Sequence, residues 1–308
     1  MNRKEFLRSG LFLLLAAALL LGTSAILDRK LACNYTKGVY GFFNEPEQSM
    51  EVLFFGSSHM YCSMDPLAFK EETGLDSYVL ATQQQPLAAT RHYIAQSFEK
   101  QSPKLVVLEL YMVMQQPEWV TEAVLRDCID PLPWRNGKAE LIKELVPEGQ
   151  RGSYYFNLAK YHGRWREMSA QNFDFSYLRG SDADRGFIRF PLARPADCRQ
   201  LSYEHVQAGA IIESNREELL RIKALVEEKG AQLCLLIAPY EGAEQDAAFF
   251  KAMHEFSREQ GIALLDLNLE YDRAGFDGST DFFDPNHLNA EGAKKATVLF
   301  ARWAEENL

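Results

Sequence analysis

Two segments far apart in the chain contain side chains that can perform nucleophilic chemistry. Ser58 follows an apolar run and Gly56, while Asp284 and His287 lie three residues apart on a later segment. A histidine can take the proton of a serine hydroxyl, and a carboxylate can fix the histidine tautomer and stabilise the imidazolium. The structural alternative is a serine that caps a helix, a histidine at a helix start or in solvent, and a turn aspartate before Pro285.

Five apolar runs predict the strands that must position these residues. Helical patterns separate most of them, and this alternation predicts an α/β fold with a parallel sheet covered by helices on both faces. The predicted strands are 50–55, 77–81, 104–110, 231–238 and 262–267. The predicted helices around them are 66–72, 86–100, 215–229, 244–259 and 290–306. Ser58 then follows the first strand and His287 the fifth, at the edge where such sheets bind ligands.

The alternation stops between about residues 111 and 206. This segment is rich in aromatic residues, arginine and aspartate, and helical patterns cover residues 119–127, 138–145 and 155–169. We interpret it as a mostly helical insertion that covers one end of the sheet. Long segments without strands in a compact domain are usually functional, so we expect the insertion to shape the site.

The N-terminal segment is long and apolar enough to cross a membrane. Residues 9–27 carry no charge, and at a rise of about 1.5 Å per residue they span roughly one hydrocarbon core. Arg3, Lys4 and Arg8 precede them, which predicts a cytoplasmic N-terminus with the rest of the chain outside. The alternative is a cleaved signal peptide, because residues 22–25 offer small side chains for cleavage.

These patterns divide the chain into three parts. Residues 1–30 form a cytoplasmic tip and a transmembrane anchor, residues 31–50 form a linker, and residues 51–308 form one domain that includes the insertion. The net charge of -10 argues against a nucleic-acid partner, which would require a basic surface. The five cysteines lack metal-binding spacing and no glycine-rich phosphate loop is present, so we expect neither a metal nor another cofactor.

The two chemistry-bearing segments resemble the first and last sequence blocks of the SGNH (GDSL) hydrolase superfamily. Gly56-Ser57-Ser58 stands where that superfamily has its nucleophile turn, and Asp284 and His287 match its C-terminal Asp-x-x-His block. The resemblance covers the predicted α/β domain without the insertion. It implies a three-layer α/β/α, flavodoxin-like fold in which Ser58 is the nucleophile, His287 the general base and Asp284 the residue that orients the base.

Ser57 stands where the commonest members of the superfamily have aspartate. Gly-Ser-Ser variants are similar to those of membrane-anchored envelope proteins of the D-alanyl-transfer (DltD-like) and alginate-acetylation groups, which act with membrane-bound O-acyltransferases. The resemblance therefore implies an acyl-transfer or deacylation role at the cell envelope. Alanine substitution of each serine distinguishes Ser58 from Ser57 as the nucleophile.

The two middle blocks of the superfamily are degraded in this sequence. Gln84 falls nearest to the glycine whose backbone N–H lines the oxyanion hole, and its own N–H could donate instead. Glu109-Leu110-Tyr111 replaces Gly-x-Asn-Asp, so the asparagine donor is missing. Loss of one such donor costs about 10²–10³ in rate. Glu109 either faces the site or pairs with a basic residue, and we favour the pairing.

Four further residues are candidates for contact with the oxyanion or the substrate. His59 and Tyr111 adjoin two predicted strand ends, and His162 and Arg164 belong to a Tyr-His-x-Arg-Trp element that is similar to one in SGNH-like envelope proteins. An arginine there could hold an anionic or carbonyl group. The alternative, which we favour for the element in the insertion, is a lid helix whose aromatic side chains pack on the core.

The sequence thus predicts a membrane-anchored serine esterase or O-acyltransferase outside the cytoplasm. Its expected substrates are acetyl-type acyl esters of an envelope glycan or polymer, and its expected partners are the membrane and a membrane-bound O-acyltransferase. Hydrolysis and transfer share one acyl-enzyme and differ in the acceptor that reaches it. The alternative is a non-catalytic envelope module that binds glycan or docks on a membrane partner, which the missing oxyanion donors favour.

Overall fold

A parallel sheet forms the centre of the molecule, whose computed structural model describes residues 2–27, 34–117, 120–134, 137–176 and 179–308. The strands are β1 (Val52–Gly56), β2 (Ser77–Ala81), β3 (Leu105–Glu109), β4 (Gln232–Ile237) and β5 (Ala263–Asp266). They lie in the order β2-β1-β3-β4-β5, and every neighbouring pair is parallel. The prediction of an α/β fold with five parallel strands is therefore confirmed.

Helices connect the strands and cover both faces of the sheet. The α-helices are α1 (Arg3–Leu27), α2 (Asn34–Asn44), α3 (Ser58–Ser63), α4 (Pro66–Thr73), α5 (Leu87–Phe98), α6 (Glu122–Ile129), α7 (Lys138–Leu145), α8 (Arg151–Tyr155), α9 (Leu158–Tyr161), α10 (Glu213–Glu228), α11 (Ala247–Gln260), α12 (Tyr271–Ala274) and α13 (Ala290–Asn307). Short 3₁₀ turns lie at Tyr111–Val113, Glu148–Gln150, His162–Arg166, Ala170–Phe173 and Ala243–Asp246. An antiparallel hairpin of β6 (Phe282–Asp284) and β7 (His287–Leu288) precedes α13.

The sheet separates two apolar cores, one on each face. Leu53 and Phe55 of β1 pack in the core that α5, α10 and α11 cover, whereas Val52 and Phe54 pack beneath α4 and α13. Phe54 contacts Phe300 of α13 edge-on, with ring centroids 5.6 Å apart. Successive side chains of a strand point to opposite faces, so a strand covered on both faces is apolar throughout. Burial of each such side chain contributes about 1.5–3 kcal/mol relative to exposure.

Capping residues fix the ends of two helices that flank the sheet. Asp65 accepts hydrogen bonds from the first turn of α4, and Pro66 occupies the first helical position, where its missing N–H costs nothing. The same helix ends at Gly74, whose φ of 75° is the left-handed conformation that glycine adopts at low cost. Asn289 caps α13 in the same way as Asp65 caps α4. These caps satisfy N–H groups that the helices leave without partners.

A helix occupies much of the segment 31–50, for which the sequence predicted a linker. Val39 and Phe42 of α2 are buried, and Phe42 contacts Tyr78 of β2 edge-on at 5.2 Å. The two residues are three apart, so they lie on one helix face and can pack on the sheet together. This part of the linker is therefore corrected to a packed helix. Residues 28–33 lie outside the described residues, so the junction between anchor and domain stays a prediction.

The insertion contains shorter helices than the sequence predicted. The observed α7 matches its prediction, and α6 begins at Glu122, whereas its predicted start at Trp119 lies outside the described residues. The single helix predicted over 155–169 is wrong, because α8, α9 and a 3₁₀ turn share this region. Phe156 leaves the helical conformation, with φ -132° and ψ 86°. Gly163 further disfavours a continuous helix.

The last part of the insertion, residues 187–201, runs beside α3 and the hairpin without regular secondary structure. Backbone hydrogen bonds attach it to both elements. The N–H of Ile188 donates to the carbonyl of Tyr61 at 2.9 Å, and the N–H of Arg194 donates to the carbonyl of Phe282 at 2.8 Å. The insertion therefore covers part of the carboxyl end of the sheet.

The first helix differs from all others in its surroundings. The 25 residues of α1 are long and apolar enough to cross a membrane, with a mean hydropathy of 2.4 over the best window. Its large apolar side chains between Phe6 and Leu21 are exposed, whereas Leu27 at its end is buried. A helix that is apolar on all sides and not covered by protein is typical of a membrane span or a signal sequence.

Candidate active site

The loop between β1 and α3 carries both serines of the predicted nucleophile turn. Ser57 is the N-cap of α3, and its hydroxyl accepts a hydrogen bond from the N–H of His59 at 3.3 Å. Ser58 is the first residue of the helix, and its side chain makes no hydrogen bond to any described residue. Ser57 therefore caps the helix, and Ser58 is not the capping serine that the structural alternative required.

Gly56 allows this loop to lie directly against the end of β3. A Cβ at Gly56 would lie 2.8 Å from the Cβ of Glu109 and 3.0 Å from the Cβ of Met60. Real Cβ atoms are not found at such distances from backbone-anchored atoms, because the repulsion is too strong. Glycine is thus required here for a close approach between two neighbouring strands at the carboxyl edge of the sheet.

Asp284 and His287 face each other across the turn of the β6–β7 hairpin. They are paired residues in its register, and the His287 Nδ1 atom lies 2.9 Å from both carboxylate oxygens of Asp284. Asp284 also accepts a hydrogen bond from the N–H of Asn286 at 2.8 Å, which stiffens the turn. The sequence spacing predicted that both side chains reach one point, but not the hairpin that brings them there.

The remaining nitrogen of His287 is available for chemistry. Its Nε2 atom is buried and has no hydrogen-bond partner among the described residues. Because the carboxylate of Asp284 can only accept, Nδ1 carries the proton in the neutral ring and Nε2 keeps its lone pair. A buried polar atom without a partner is costly and calls for an explanation. A general base that awaits the proton of a nucleophile provides one.

The segments that carry Ser58 and His287, which are distant in sequence, meet at α3. The His59 ring, next to Ser58 in sequence, lies 5.4 Å from the His287 ring, measured between centroids, and α3 packs against β7. No hydrogen bond joins Ser58 Oγ to His287 Nε2 in this structure. In ligand-free enzymes, catalytic hydrogen bonds are often long and shorten only when substrate is bound. The arrangement therefore brings the predicted nucleophile and base into one neighbourhood without a preformed contact.

Aromatic rings form a wall beside the two histidines. The His59 ring stacks on the Tyr111 ring at 4.0 Å and contacts the Tyr240 ring edge-on at 5.3 Å. Burial, reinforced by the positive charge that His287 can carry, holds the pKa of His59 well below its usual value. His59 is thus neutral at physiological pH. Burial also raises the pKa of the Tyr111 phenol, so both rings are uncharged surfaces.

Glu109 lies beneath the nucleophile loop and pairs with no basic residue among those that the structure describes, which corrects the pairing that we favoured. Its carboxylate accepts hydrogen bonds from Ser57 Oγ at 2.8 Å, from Ser57 N at 3.3 Å and from the N–H of Tyr111. Burial raises the pKa of Glu109 to about 7, although these three hydrogen bonds partly oppose the rise. Glu109 therefore supports the loop that leads to Ser58.

Gln84 lies in the exposed turn after β2, with a φ of 49°. This left-handed conformation is the one that glycine adopts most readily. Below it, Thr82 donates to Gln85 at 3.1 Å and Gln85 donates to Thr90 at 2.9 Å, which anchors the turn to the start of α5.

His162 and Arg164 are not in contact with the group around Ser58 and His287. Arg164 Nη1 donates to the carbonyl oxygen of Leu27 at 2.7 Å, and His162 Nδ1 lies 3.0 Å from the carbonyl oxygen of Ala159. The expectation that these two residues bind substrate thus lacks geometric support. Their positions place them beside the last turn of α1.

Sequence reasoning missed one residue of the site. Tyr240 follows the end of β4 and packs against His59 and Tyr111. The rule that ligands bind at the carboxyl ends of parallel strands could have identified it. No group of three or more His, Cys, Asp or Glu residues that could hold a metal is found within the described ranges.

The similarities between this chain and known proteins are weak. No protein-family model and no curated protein matches the sequence. Among solved structures, the chain is similar to a Bacteroides fragilis protein proposed to be an acylhydrolase, at 12% identity over 87% of this chain and 94% of that chain, with a TM-score of 0.43. It is also similar to an acetyl xylan esterase from the rumen bacterium Butyrivibrio proteoclasticus, at 8% identity over 85% and 65%, with a TM-score of 0.34. Likenesses of this size carry no argument, so the function rests on the site geometry.

Proposed function

We propose that this protein is a serine esterase or O-acyltransferase in which Ser58 is the nucleophile, His287 the general base and Asp284 the residue that orients the base. The observation that carries the proposal is the state of His287. Its Nδ1 is held by a carboxylate, while its Nε2 is buried, has no partner among the described residues and is close to the loop that presents Ser58. The large majority of buried side-chain polar atoms have a partner, so an open Nε2 beside the Ser58 loop is better explained by a general base than by a structural histidine.

The proposed reaction runs through an acyl-enzyme. Ser58 Oγ attacks the carbonyl carbon of an acyl ester while His287 Nε2 takes the hydroxyl proton, and Asp284 stabilises the imidazolium. His287 then returns the proton to the departing alcohol oxygen, and the acyl group stays on Ser58. Water or an acceptor hydroxyl next attacks the acyl-enzyme, with its proton passing through His287. Water gives hydrolysis, and an acceptor gives transfer.

The oxyanion hole of this enzyme differs from the one that the resemblance implies. The missing asparagine leaves backbone N–H groups as the donors, and we assign this role to Ser58 and Gln84. Gln84 supports this assignment through its left-handed φ of 49°, which matches a turn built for glycine. In this assignment, the stacked rings of His59 and Tyr111 form an apolar surface next to Ser58 in the chain.

The proposed substrates and partners follow from the anchor. With α1 in the membrane and Arg3, Lys4 and Arg8 on the cytoplasmic side, the α/β domain faces the outside of the cell. Acetyl-type esters of an envelope glycan or polymer are then the proposed substrates, and a membrane-bound O-acyltransferase is the proposed partner. This last step is an analogy with the resembling envelope proteins.

Labelling with a fluorophosphonate tests the proposal on the detergent-solubilised full chain. Such probes react covalently with an activated serine, so wild-type protein is expected to be labelled and Ser58→Ala is expected not to be. Ser57→Ala is the matched control: it loses a helix cap, at a cost of about 0.5–2 kcal/mol in stability, and the hydroxyl group that Glu109 holds, so it is expected to be labelled more slowly but still on Ser58. Loss of labelling in Ser57→Ala with retention in Ser58→Ala would reassign the nucleophile.

A non-catalytic module is the competing function. The observation that favours it is the missing hydrogen bond between Ser58 and His287. It predicts that wild-type protein is not labelled although its circular dichroism and thermal unfolding show an intact fold. Labelling of Ser58 that also disappears in His287→Ala excludes this alternative, because an unactivated serine does not depend on a nearby base.

A further inference from the structure

The insertion holds the last turn of α1. Arg164 Nη1 donates to the carbonyl oxygen of Leu27 at 2.7 Å, and Asn172 Nδ2 donates to the carbonyl oxygen of Ile26 at 3.3 Å. The last carbonyl groups of a helix have no partner within the helix, and side chains of the insertion supply it here. Helix α9 and the 3₁₀ turns at 162–166 and 170–173 all contact α1.

The segment that contacts α1 also exposes large apolar side chains. We call residues 158–176 the collar. Within it, Trp165 is 59% exposed, Phe173 is 56% exposed and Met168 is 41% exposed. The Arg166 guanidinium lies over the Trp165 ring at 5.0 Å, so a cation and an indole share one surface. A group of exposed apolar residues marks an interaction site more often than single ones do.

The position of the collar along α1 defines its surroundings. If α1 spans the bilayer with Arg3 on the cytoplasmic side, the last turn, which ends at Leu27, lies at the outer interface between lipid and water. Side chains that contact this turn lie at the same depth. Tryptophan, other aromatic side chains and arginine are the residues that this interface favours, because their apolar parts enter lipid while their polar parts stay hydrated.

We propose that the collar rests on the outer lipid surface, with Trp165, Met168 and Phe173 inserted among the headgroups. The proposal rests on the membrane anchoring in the proposed function. The insertion begins directly after β3, at the edge of the sheet that carries the Ser58 loop. The collar belongs to the same insertion, so its contact with lipid would hold this part of the α/β domain at the bilayer surface.

Two tryptophans allow a matched test. Trp165 belongs to the collar, whereas Trp303 lies near the end of α13. That end is at the opposite edge of the sheet, because Ala301 and Ala304 line a cavity together with Val52 and Leu105, which begin β1 and β3. In the full chain, three of the four tryptophans are replaced by phenylalanine to leave one of these two as the sole fluorophore.

The experiment reconstitutes both variants in vesicles of phosphatidylcholine and phosphatidylglycerol, with acyl chains either plain or brominated near the headgroup. Flotation first establishes that the chain is bound to the vesicles. Bromine quenches a fluorophore only on contact, so the emission of Trp165 is expected to fall at least about twofold in brominated vesicles, as for an interfacial residue. The emission of Trp303 is expected to stay unchanged.

The outcomes separate the two proposals. A chain that floats but whose Trp165 is quenched no more than Trp303 overturns the collar and leaves the anchor intact. A chain that does not float overturns the anchor and the collar together. Fluorophosphonate labelling of Ser58 is independent of both, so the catalytic proposal is tested separately.

A charge substitution then probes the collar itself. Phe173→Glu is expected to lower the quenching of Trp165, because a carboxylate is repelled from the lipid surface. Leu192→Glu is the matched control, since Leu192 is as exposed as Trp165, at 61%, but lies outside the collar. Equal effects of the two substitutions would contradict the collar.

Discussion

The two halves of the candidate active site are built in different ways. In the β6–β7 hairpin, Asp284 orients His287 from three residues away, across a single turn. In the loop after β1, Ser57 is held by Glu109, which is 52 residues away and belongs to the neighbouring strand. The proposed base is thus oriented by a neighbour in the same short segment, whereas the loop of the proposed nucleophile is held by a contact that requires β1 and β3 to pair.

The two halves therefore depend on the rest of the protein to different degrees. The hairpin places a carboxylate and an imidazole together at the partly exposed edge of the site. The loop depends on a carboxylate that is fully buried and whose pKa is about 7. Substitutions in the hairpin are therefore expected to affect catalysis, while substitutions beneath the loop are expected to affect catalysis and stability together.

The largest effect is expected from Asp284→Asn. The amide cannot favour the Nδ1–H tautomer of His287 or stabilise its charged form, and the corresponding change in a serine triad lowers turnover about 10⁴-fold. The measurement is the initial rate of hydrolysis of a nitrophenyl acetate. Asp272→Asn, at an exposed position in α12, is the control and should keep full activity.

Thermal unfolding of Asp284→Asn should stay close to that of the wild type, because only local contacts change. If Asp284→Asn lowered activity by less than about tenfold, His287 would have to be oriented by a group other than this carboxylate. The contrast between the two halves of the site would then fail, because His287 would also depend on a residue outside the hairpin.

A smaller effect on rate is expected from Glu109→Gln, together with the loss of the pH-dependent stability that this carboxyl group provides. The amide can still accept a hydrogen bond from Ser57, but it lacks the charge that strengthens such bonds, so fluorophosphonate labelling at pH 8 should slow about tenfold. The rate of fluorophosphonate labelling is the measurement. Glu99→Gln, at an exposed position after α5, is the control.

The pH dependence of stability identifies the same carboxyl group. The pKa of Glu109 is raised from 4.5 to about 7 in the folded protein, so the native state binds the proton more tightly than the unfolded state. Its contribution is complete below about pH 4.5 and is lost as the pH rises through about 7, and it amounts to about 3 kcal/mol. Unfolding in urea between pH 4.5 and 8 measures it.

The wild type is therefore expected to lose stability across this pH range relative to Glu109→Gln, which cannot titrate. Parallel pH profiles of the two proteins would show that Glu109 has an ordinary pKa, and that the loop is not coupled to a buried charge. Asp284→Asn should leave this slope unchanged, which sharpens the contrast between the two halves.

The same contrast explains which features the sequence could predict. The strands were predictable because a strand buried on both faces is a nearly continuous apolar run, as in β1 and in the first four residues of β3. Asp284 and His287 were predictable because three residues of spacing suffice to join them. The partner of Glu109 was not, because the contact with Ser57 depends on the pairing of β1 with β3, in the register that sets Phe55 beside Leu108.

Other features escaped prediction for related reasons. The packing of α2 on β2 and the position of Tyr240 beside His59 are contacts between segments distant in sequence. The Tyr-His-x-Arg-Trp element was recognised as a pattern, but its role depends on which surface it meets. That surface is the end of α1, through Arg164 and Leu27.

The smallest effect is expected at the turn after β2, where Gln84 belongs neither to the hairpin nor to the loop that Glu109 supports. Gln84 takes a φ of 49°, a conformation that costs a non-glycine residue about 1 kcal/mol or more. Glycine relieves this strain but adds conformational freedom to the unfolded chain, worth about 0.4–1 kcal/mol. Gln84→Gly should therefore raise the free energy of unfolding by no more than about 1 kcal/mol.

Activity should stay within about twofold of the wild type, because glycine keeps the backbone N–H that we assign to the oxyanion hole. Gln83→Gly is the matched control: Gln83 is equally exposed but is not among the residues with positive φ, so glycine can only destabilise it. A fall in activity of more than about tenfold in Gln84→Gly would show that the amide side chain is the donor. The turn would then replace the missing asparagine through a side chain, and this part of the site would depend on residue identity instead of backbone shape.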